Sequence, residues 1–152
     1  MTVQKIDPDT AVAFIRRYHY SKVLPRLNKC YLGFFEGGHL SGVALLGWGT
    51  QPLQTIRKIF PAHDLTTASY LEIGKMCFLP EKNHTGYFGS LALSALTRWV
   101  RDNTGCLFLY TLADGIMGKC GYMYQASNFR YLGHFTTSVY RDSATGEKIH
   151  PR

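Results

Sequence analysis

Residues 69–114 read SYLEIGKMCFLPEKNHTGYFGSLALSALTRWVRDNTGCLFLYTLAD and carry the strongest secondary-structure signal of the chain. The part up to Pro80 predicts a strand, residues 86–105 a long helix closed by Gly105, and residues 106–114 a buried strand. The helix has an apolar stripe at helical spacing, made of Phe88, Leu91, Ala92, Ala95, Leu96 and Trp99. A strand, a helix and a strand in this order predict a right-handed crossover in an α/β (α+β) fold, with a mixed central β-sheet flanked by helices.

Upstream of this segment the sequence predicts a helix and a hairpin. Asp7 is typical of an N-cap and Pro8 of a first helical turn, so we expect a helix over residues 8–18. Gly37 and Gly38 readily adopt the positive φ angles of a tight turn, which predicts two strands around them. Residues 50–65 show no clean period, and we expect a loop with one helical turn at most.

Downstream, residues 120–127 predict a short helix, and residues 130–140 predict a final strand or hairpin. With 152 residues and no repeats or low-complexity linkers, the chain is predicted to form a single domain over residues 1–152. No apolar run approaches the roughly 18 residues of a membrane span, and the N-terminus lacks the pattern of a signal peptide. We therefore expect a soluble, cytoplasmic protein that does not bind membranes.

The positive charge is concentrated near the N-terminus. The net charge is +7, and residues 10–35 contain no acidic residue. Tyrosines alternate there with cations, a composition that suits a phosphate backbone and unstacked bases. A solvated basic face is the structural alternative. The candidate DNA-binding cations are Arg16, Arg17, Lys22, Arg26 and Lys29.

The four cysteines form no Cys-x-x-Cys pair, which argues against a structural zinc site or a redox motif. We expect them to be reduced and structural. His19 lies among tyrosines, a set able to ligate iron, but no two histidines are spaced i, i+4 and no carboxylate cluster accompanies them. The sequence therefore assigns no metal.

Residues 109–133, LYTLADGIMGKCGYMYQASNFRYLG, resemble the late strand, short helix and Y-x-x-x-G-F-x-x-x-G ending of the GCN5-related N-acetyltransferase (GNAT) fold, with Asn128 at the first glycine position. The resemblance implies two parallel strands that splay apart and a donor pyrophosphate at the start of the long helix. The loop of residues 82–91 departs from the family's R/Q-x-x-G-x-G/A motif and offers only Gly86 and Gly89. This departure argues against acetyl-CoA and leaves the small-molecule group donor open, with the two glycines as candidate donor contacts.

A narrower resemblance rests on four motifs in order, YHYS, LEIGKMCF, LADG and YQASNF. They are similar to motifs of the Mom family of phage DNA-modification proteins, over roughly residues 15–135. The resemblance implies a transferase that converts adenine in double-stranded DNA to its N6-carbamoylmethyl (acetamido) derivative and protects phage DNA from host restriction. It also implies a phage or prophage origin. The functional positions that it implies are His19, Tyr20, Lys75 (where the family tends to have Arg), Ser90, Asp114 and Tyr124.

These residue types suit the implied chemistry. The exocyclic amine of adenine is a poor nucleophile, and His19 or Asp114 is suited to accept its proton. Tyr20 and Tyr124 are suited to stack on the base or to donate a hydrogen bond, and Ser90 to anchor the donor. Each has a structural alternative: a hydrogen-bonded histidine, a turn aspartate, a packed tyrosine and a helix-capping serine.

An adenine inside a duplex is out of reach of a buried pocket, so this reaction implies base flipping. We expect the basic segment to bind the phosphate backbone beside the pocket, which brings the extruded base to His19 and Tyr20. Two other functions fit the sequence. A GNAT-type N-acetyltransferase for a small amine or a protein predicts coenzyme A binding and no DNA affinity. A non-catalytic DNA-binding module predicts DNA affinity that survives loss of His19 and Asp114.

Overall fold

A five-stranded mixed sheet forms the centre of the protein. The computed structural model describes residues 1–49, 51–83, 86–134, 136, 138, 140–146 and 148–149. The sheet has the order β1-β2-β3-β4-β5, antiparallel except for the parallel pair β4–β5. Its strands are β1 (Thr2–Lys5), β2 (Asn28–Glu36), β3 (His39–Gly47), β4 (Tyr70–Phe78) and β5 (Phe108–Thr111). The helices are α1 (Pro8–Tyr18), α2 (Pro52–Ile59), α3 (Phe88–Asn103) and α4 (Tyr122–Gln125).

Local sequence signals explain α1 and the hairpin that follows it. Asp7 caps α1 as predicted, because its carboxylate accepts from the backbone N–H groups of Asp9 and Thr10 at 2.9 and 3.1 Å. The turn between β2 and β3 places Gly37 and Gly38 at φ +56° and +83°. The helix over residues 8–18 and the hairpin are therefore confirmed.

The central strand, helix and strand are also confirmed, with β4 and β5 parallel on either side of α3. One detail of the helix was wrong: Leu91 is 48% exposed, whereas Leu93 is fully buried. The predicted strand over residues 106–114 is shorter than expected. β5 lies at the edge of the sheet, so the leucines on either side of it, Leu107 and Leu112, are exposed.

The two long helices cover opposite faces of the sheet. On β3, Val43 and Leu45 pack with Phe14 and Ile15 of α1. The alternate residues of β3, Ala44 and Leu46, pack in the core that contains Phe88, Leu93 and Leu96 of α3. Since side chains alternate between the faces of a strand, α1 and α3 form separate layers on the two sides. The mixed sheet flanked by helices is thus confirmed.

Three further predictions need correction or completion. The predicted loop of residues 50–65 contains α2, an eight-residue helix of which only Ile56 is buried. Strand β1 was not predicted. The final strand predicted over residues 130–140 is wrong for residues 130–134, which form no strand; Phe135, Thr137 and Val139 lie outside the described residues. A small hairpin follows instead, formed by β6 (Tyr140–Arg141) and β7 (Lys148–Ile149).

All four cysteines are free thiols, in agreement with the sequence, and Cys30 and Cys77 are buried. Among the described helices, none has the length and apolarity needed to cross a lipid bilayer.

Candidate active site

The sheet opens between β4 and β5, and this opening locates the candidate site. The two strands pair only from Tyr70–Phe108 to Ile73–Thr111. The Thr111 hydroxyl closes the paired part by donating to the Ile73 carbonyl at 3.2 Å. Beyond this point β4 runs on to Phe78, whereas β5 ends. The second half of β4 therefore has no strand beside it on the β5 side among the described residues, which agrees with the splayed strands implied by the GNAT resemblance.

His19 lies at the C-terminus of α1, where its backbone N–H donates to the Ile15 carbonyl at 2.9 Å. Its Nδ1 lies 3.0 Å from the backbone nitrogen of Ser21 and 2.9 Å from the Ser21 carbonyl oxygen, so the backbone of Ser21 fixes the imidazole ring. Burial, and then the charge of Lys75, lower the pKa of His19 to about 4. The ring is therefore neutral at pH 7, and its affinity for a proton is lower than that of an ordinary histidine.

Tyr20 connects His19 to Asp114. Its ring stacks on the imidazole with centroids 4.3 Å apart, and its hydroxyl donates to Oδ2 of Asp114 at 3.4 Å. Burial and then the Asp114 charge raise the pKa of Tyr20 to about 12, so it remains a protonated donor. Asp114 begins a tight turn in which its carbonyl accepts from the backbone of Met117 and Lys119.

Lys119 is a site residue that the sequence analysis missed. Its Nζ lies 5.2 Å from the centroid of the Tyr20 ring, within the range of a cation–π contact. Its charge also contributes to the low pKa of His19. Its only signal in the sequence is a basic residue shortly after the LADG motif, which was too weak to single it out.

Lys75 reaches this cluster from the open half of β4. Its Nζ donates to Ser21 Oγ at 3.3 Å and to the Val23 carbonyl. We predicted Lys75 as a donor-binding residue, but the structure places its ammonium group under the segment that carries His19. The Lys75 side chain lies on the α1 side of the sheet, because residues two apart on a strand share a face and Cys77 packs with α1.

Tyr124, the last catalytic candidate, stands on α4. Its side chain is hydrogen-bonded to Thr111 at the end of β5, and burial raises its pKa. Tyr124 is close enough to Tyr20 to contribute to its raised pKa, so the two tyrosines lie near each other at the opening. Asn128 adopts a left-handed conformation, φ +65°, at the position where the GNAT motif has glycine.

Ser90 lines a cavity of about 210 Å³ between the start of α3 and α4, the short helix that carries Tyr124. The N-cap of α3 is Tyr87, which makes no side-chain capping bond, so the structural alternative of Ser90 as the helix cap is wrong. Gly89 contacts Met123 so closely that a Cβ there would lie 2.3 Å from the Met123 sulfur. The cavity is lined by Phe78, Lys82, Asn83, Gly86, Gly89, Ser90, Tyr122, Met123 and Ala126.

The basic segment runs beside the site. Arg16 and Arg17 are exposed in the last turn of α1, and Lys22, Arg26 and Lys29 are exposed after it. Lys29 also lies 5.3 Å from the Trp48 ring centroid. The path of the segment is fixed on β4, because Pro25 covers Gly74 so closely that a Cβ there would lie 2.9 Å from the Pro25 side chain.

Within the described residues no group of three or more His, Cys, Asp or Glu side chains is placed to hold a metal ion.

Comparison with known proteins gives three findings. The model of the Mom protein family matches residues 1–152. The methylcarbamoylase Mom of Escherichia phage Mu is 26% identical over 148 residues, covering 92% of this chain and 56% of that protein, so the chain spans little more than half of its curated relative. Among solved structures, the apo aminoglycoside antibiotic 6'-N-acetyltransferase AAC(6')-IG from Acinetobacter haemolyticus aligns with a TM-score of 0.49 at 10% identity, over 92% of this chain and 100% of that one.

Proposed function

Because the chain belongs to the Mom protein family, we propose that it is a DNA-modifying transferase that adds a carbamoylmethyl group to the exocyclic amine of adenine. One observation carries the proposal beyond family membership. Three separate parts of the chain meet at the point where β4 and β5 separate, and they contribute His19 with Tyr20, Lys75 and Asp114. A neutral imidazole, a phenol and a carboxylate in one cluster supply the acid and base groups that amine transfer requires.

In the proposed reaction, the adenine amine attacks the methylene carbon of the donor, so that a nitrogen–carbon bond forms and the bond to the leaving group breaks. The amine loses one proton, and the acceptors that the cluster offers are His19, a base weakened by its low pKa, and the carboxylate of Asp114. Tyr20 or Tyr124, both with raised pKa values, is suited to donate a hydrogen bond or a proton to the leaving group. Asp114 accepts from Tyr20 and so directs its hydroxyl.

The donor is proposed to bind at a separate site. The cavity at the start of α3 is large enough for part of a small molecule, and Ser90 with the nearby Gly86 lines it. The first N–H groups of a helix have no partner within the helix, and Tyr87 makes no side-chain capping bond, so the start of α3 is suited to bind an anionic part of the donor. We assign the donor to this cavity on the α3 side and the base to the cluster on the α1 side.

Double-stranded DNA, in the cytoplasm of a bacterial host, is the proposed macromolecular substrate. The exposed cations of residues 16–29 lie next to His19 and Tyr20, where they are able to bind phosphates on either side of an extruded nucleotide. The modification would protect phage DNA from restriction by changing the amine that a nuclease reads in the major groove.

The test is mass spectrometry of nucleosides from the DNA of bacteria that express the protein. We expect a deoxyadenosine heavier by one carbamoylmethyl substituent, absent from His19→Ala and Asp114→Ala and retained in the matched variants His39→Ala and Asp102→Ala at exposed positions elsewhere. A different mass shift would name another transferred group. Unmodified adenine, together with coenzyme A binding, would replace this proposal with a small-amine acetyltransferase. DNA binding without modification, unaffected by the His19 and Asp114 variants, would indicate a binding module.

A further inference from the structure

The segment from His19 to Leu27 crosses the open half of β4 without forming a helix or a strand. Because the segment belongs to no helix or strand, only its side-chain and tertiary contacts restrict its conformation. Pro25 rests on Gly74, and Trp48 donates its backbone N–H to the Leu27 carbonyl at 3.2 Å, so the far end is fixed. At the near end, His19 is bonded to the last turn of α1 and Tyr20 to Asp114, and the stretch that follows them needs an anchor of its own.

Lys75 provides that anchor through two successive links. Its ammonium group donates to the Ser21 hydroxyl at 3.3 Å and to the Val23 carbonyl. The backbone of Ser21 in turn holds Nδ1 of His19, at 3.0 Å from its nitrogen and 2.9 Å from its oxygen. A side chain of β4 thus contacts Ser21, which lies 54 residues earlier in the sequence, and is connected through Ser21 to the imidazole ring of His19.

The geometry suits a lysine. Its ammonium group carries three donors that can turn toward acceptors in different directions, whereas the planar fork of arginine favours a carboxylate or a phosphate. The Ser21 hydroxyl and the Val23 carbonyl, which lie two residues apart, do not form a planar pair of oxygens like those of a carboxylate. Lys75 therefore fits the segment above it better than it fits an anionic donor.

We propose that Lys75 is a positioning residue, which holds the His19–Val23 segment on β4 and orients the His19 ring through Ser21. It acts on the reaction through His19, and contact with the donor is not part of its role. This role deepens the proposed function, but both measurements below use the free protein without DNA or donor, so the two proposals fail independently.

Lys75 also acts on His19 through its charge. The groups around the imidazole are the ammonium groups of Lys75, Lys119 and Lys22, the Ser21 backbone, and Tyr20 stacked on its face. Burial has the largest effect on the pKa of His19, and Lys75 has the largest effect among the charges. Loss of the Lys75 charge should therefore raise that pKa, while Lys119 and Lys22 continue to lower it.

The first measurement is an NMR titration of the His19 ring in the Lys75→Met, Lys75→Arg and Lys58→Met variants. Lys58 is exposed on α2 and serves as the control for the loss of one charge. We expect Lys75→Met to raise the midpoint by about one pH unit, and Lys75→Arg and Lys58→Met to keep it within about half a unit of wild type. An unchanged midpoint in a folded Lys75→Met protein would overturn the proposal.

The second measurement does not depend on Lys75→Met folding. Ser21→Ala removes one acceptor of Lys75 and keeps the lysine. We expect amide hydrogen exchange at Ser21 and Val23 to become roughly tenfold faster, with exchange in α3 unchanged. Exchange at Ser21 and Val23 equal to that of wild type would show that Lys75 does not hold this segment, whatever the result of the titration.

Discussion

His19 makes the stability of the protein depend on pH. Its pKa is about 4 in the folded protein against an ordinary value of 6.5, so the unfolded chain binds more protons between these two pH values. The contribution of His19 to stability is therefore complete above pH 6.5 and is lost as the pH falls toward 4. We expect this loss to amount to about 1 to 2 kcal/mol, after allowance for solvent screening of a partly exposed ring.

His19→Asn tests this expectation, since the asparagine amide offers both a donor and an acceptor to the Ser21 backbone and does not titrate. The free energy of unfolding, measured by urea denaturation at intervals from pH 4 to 7, should fall less steeply for the variant than for wild type. Parallel curves for the two proteins would show that His19 has an ordinary pKa in the folded state.

Gly47 controls how closely the basic segment approaches the sheet. A Cβ at this position would lie 1.8 Å from the Leu27 carbonyl oxygen, a backbone atom that cannot rotate away. Gly47→Ala should therefore push the segment off β3 and destabilise the protein by about 2 to 3 kcal/mol in chemical denaturation. At Gly105 a Cβ would have no neighbour within 4 Å, so Gly105→Ala is the matched control, with an expected change below about 0.5 kcal/mol. Equal effects of the two substitutions would contradict the close contact.

Periodicity predicted the long elements and missed those whose stability comes from neighbours. The helix over residues 8–18 was bounded correctly because the signals of Asp7 and Pro8 are local. Helix α2 was missed although Leu53, Ile56 and Ile59 recur at helical spacing, because a helix of eight residues has too few turns for a period to stand out. Strand β1 has four residues and gains its order by pairing with β2, which is remote in the sequence.

The sequence predicted which residues form the site but not how they are arranged in space. Motif resemblance named His19, Tyr20 and Asp114, and the structure brings them together. Nothing local in the sequence, however, reveals that Lys75 contacts Ser21. That contact depends on the path of residues 19–27 and on a β-bulge at Gly74, the residue of β4 that is left without a partner on β3 between Ile73 and Lys75. Asn128 is the opposite case, since its left-handed conformation follows from its place in a glycine motif.

Helix α3 offers a direct test of which leucines form the core. Leu93 is fully buried, whereas Leu91 is 48% exposed, although the predicted apolar stripe included Leu91 and not Leu93. Leu93→Ala should lower the free energy of unfolding by about 2 to 5 kcal/mol, because it removes buried methyl groups and leaves a cavity. Leu91→Ala should change it by less than about 0.5 kcal/mol. A larger loss for Leu91→Ala than for Leu93→Ala would mean that α3 is rotated about its axis relative to this structure.

The opening in the sheet connects two surfaces of different character. The basic segment and the His19 cluster belong to the α1 side, and the Ser90 cavity belongs to the α3 side. In the proposed reaction, DNA and donor approach from opposite sides and meet where β4 and β5 part. This arrangement requires that DNA affinity depend on cations of the α1 side and be insensitive to cations on the outer surface of α3.

The salt dependence of DNA binding measures that asymmetry. Each phosphate contact that is lost reduces the slope of log K against log salt by about 0.9, so Arg26→Gln with Lys22→Gln should reduce it by about 2 and weaken binding at every salt concentration. Arg98→Gln with Arg101→Gln removes the same charge from exposed positions on α3 and should leave the slope unchanged. Because both pairs alter the net charge equally, a general electrostatic attraction would affect them alike, and only a phosphate path on the α1 side would separate them. Equal slopes for the two double variants, measured by fluorescence anisotropy with a duplex oligonucleotide, would place the DNA elsewhere on the molecule.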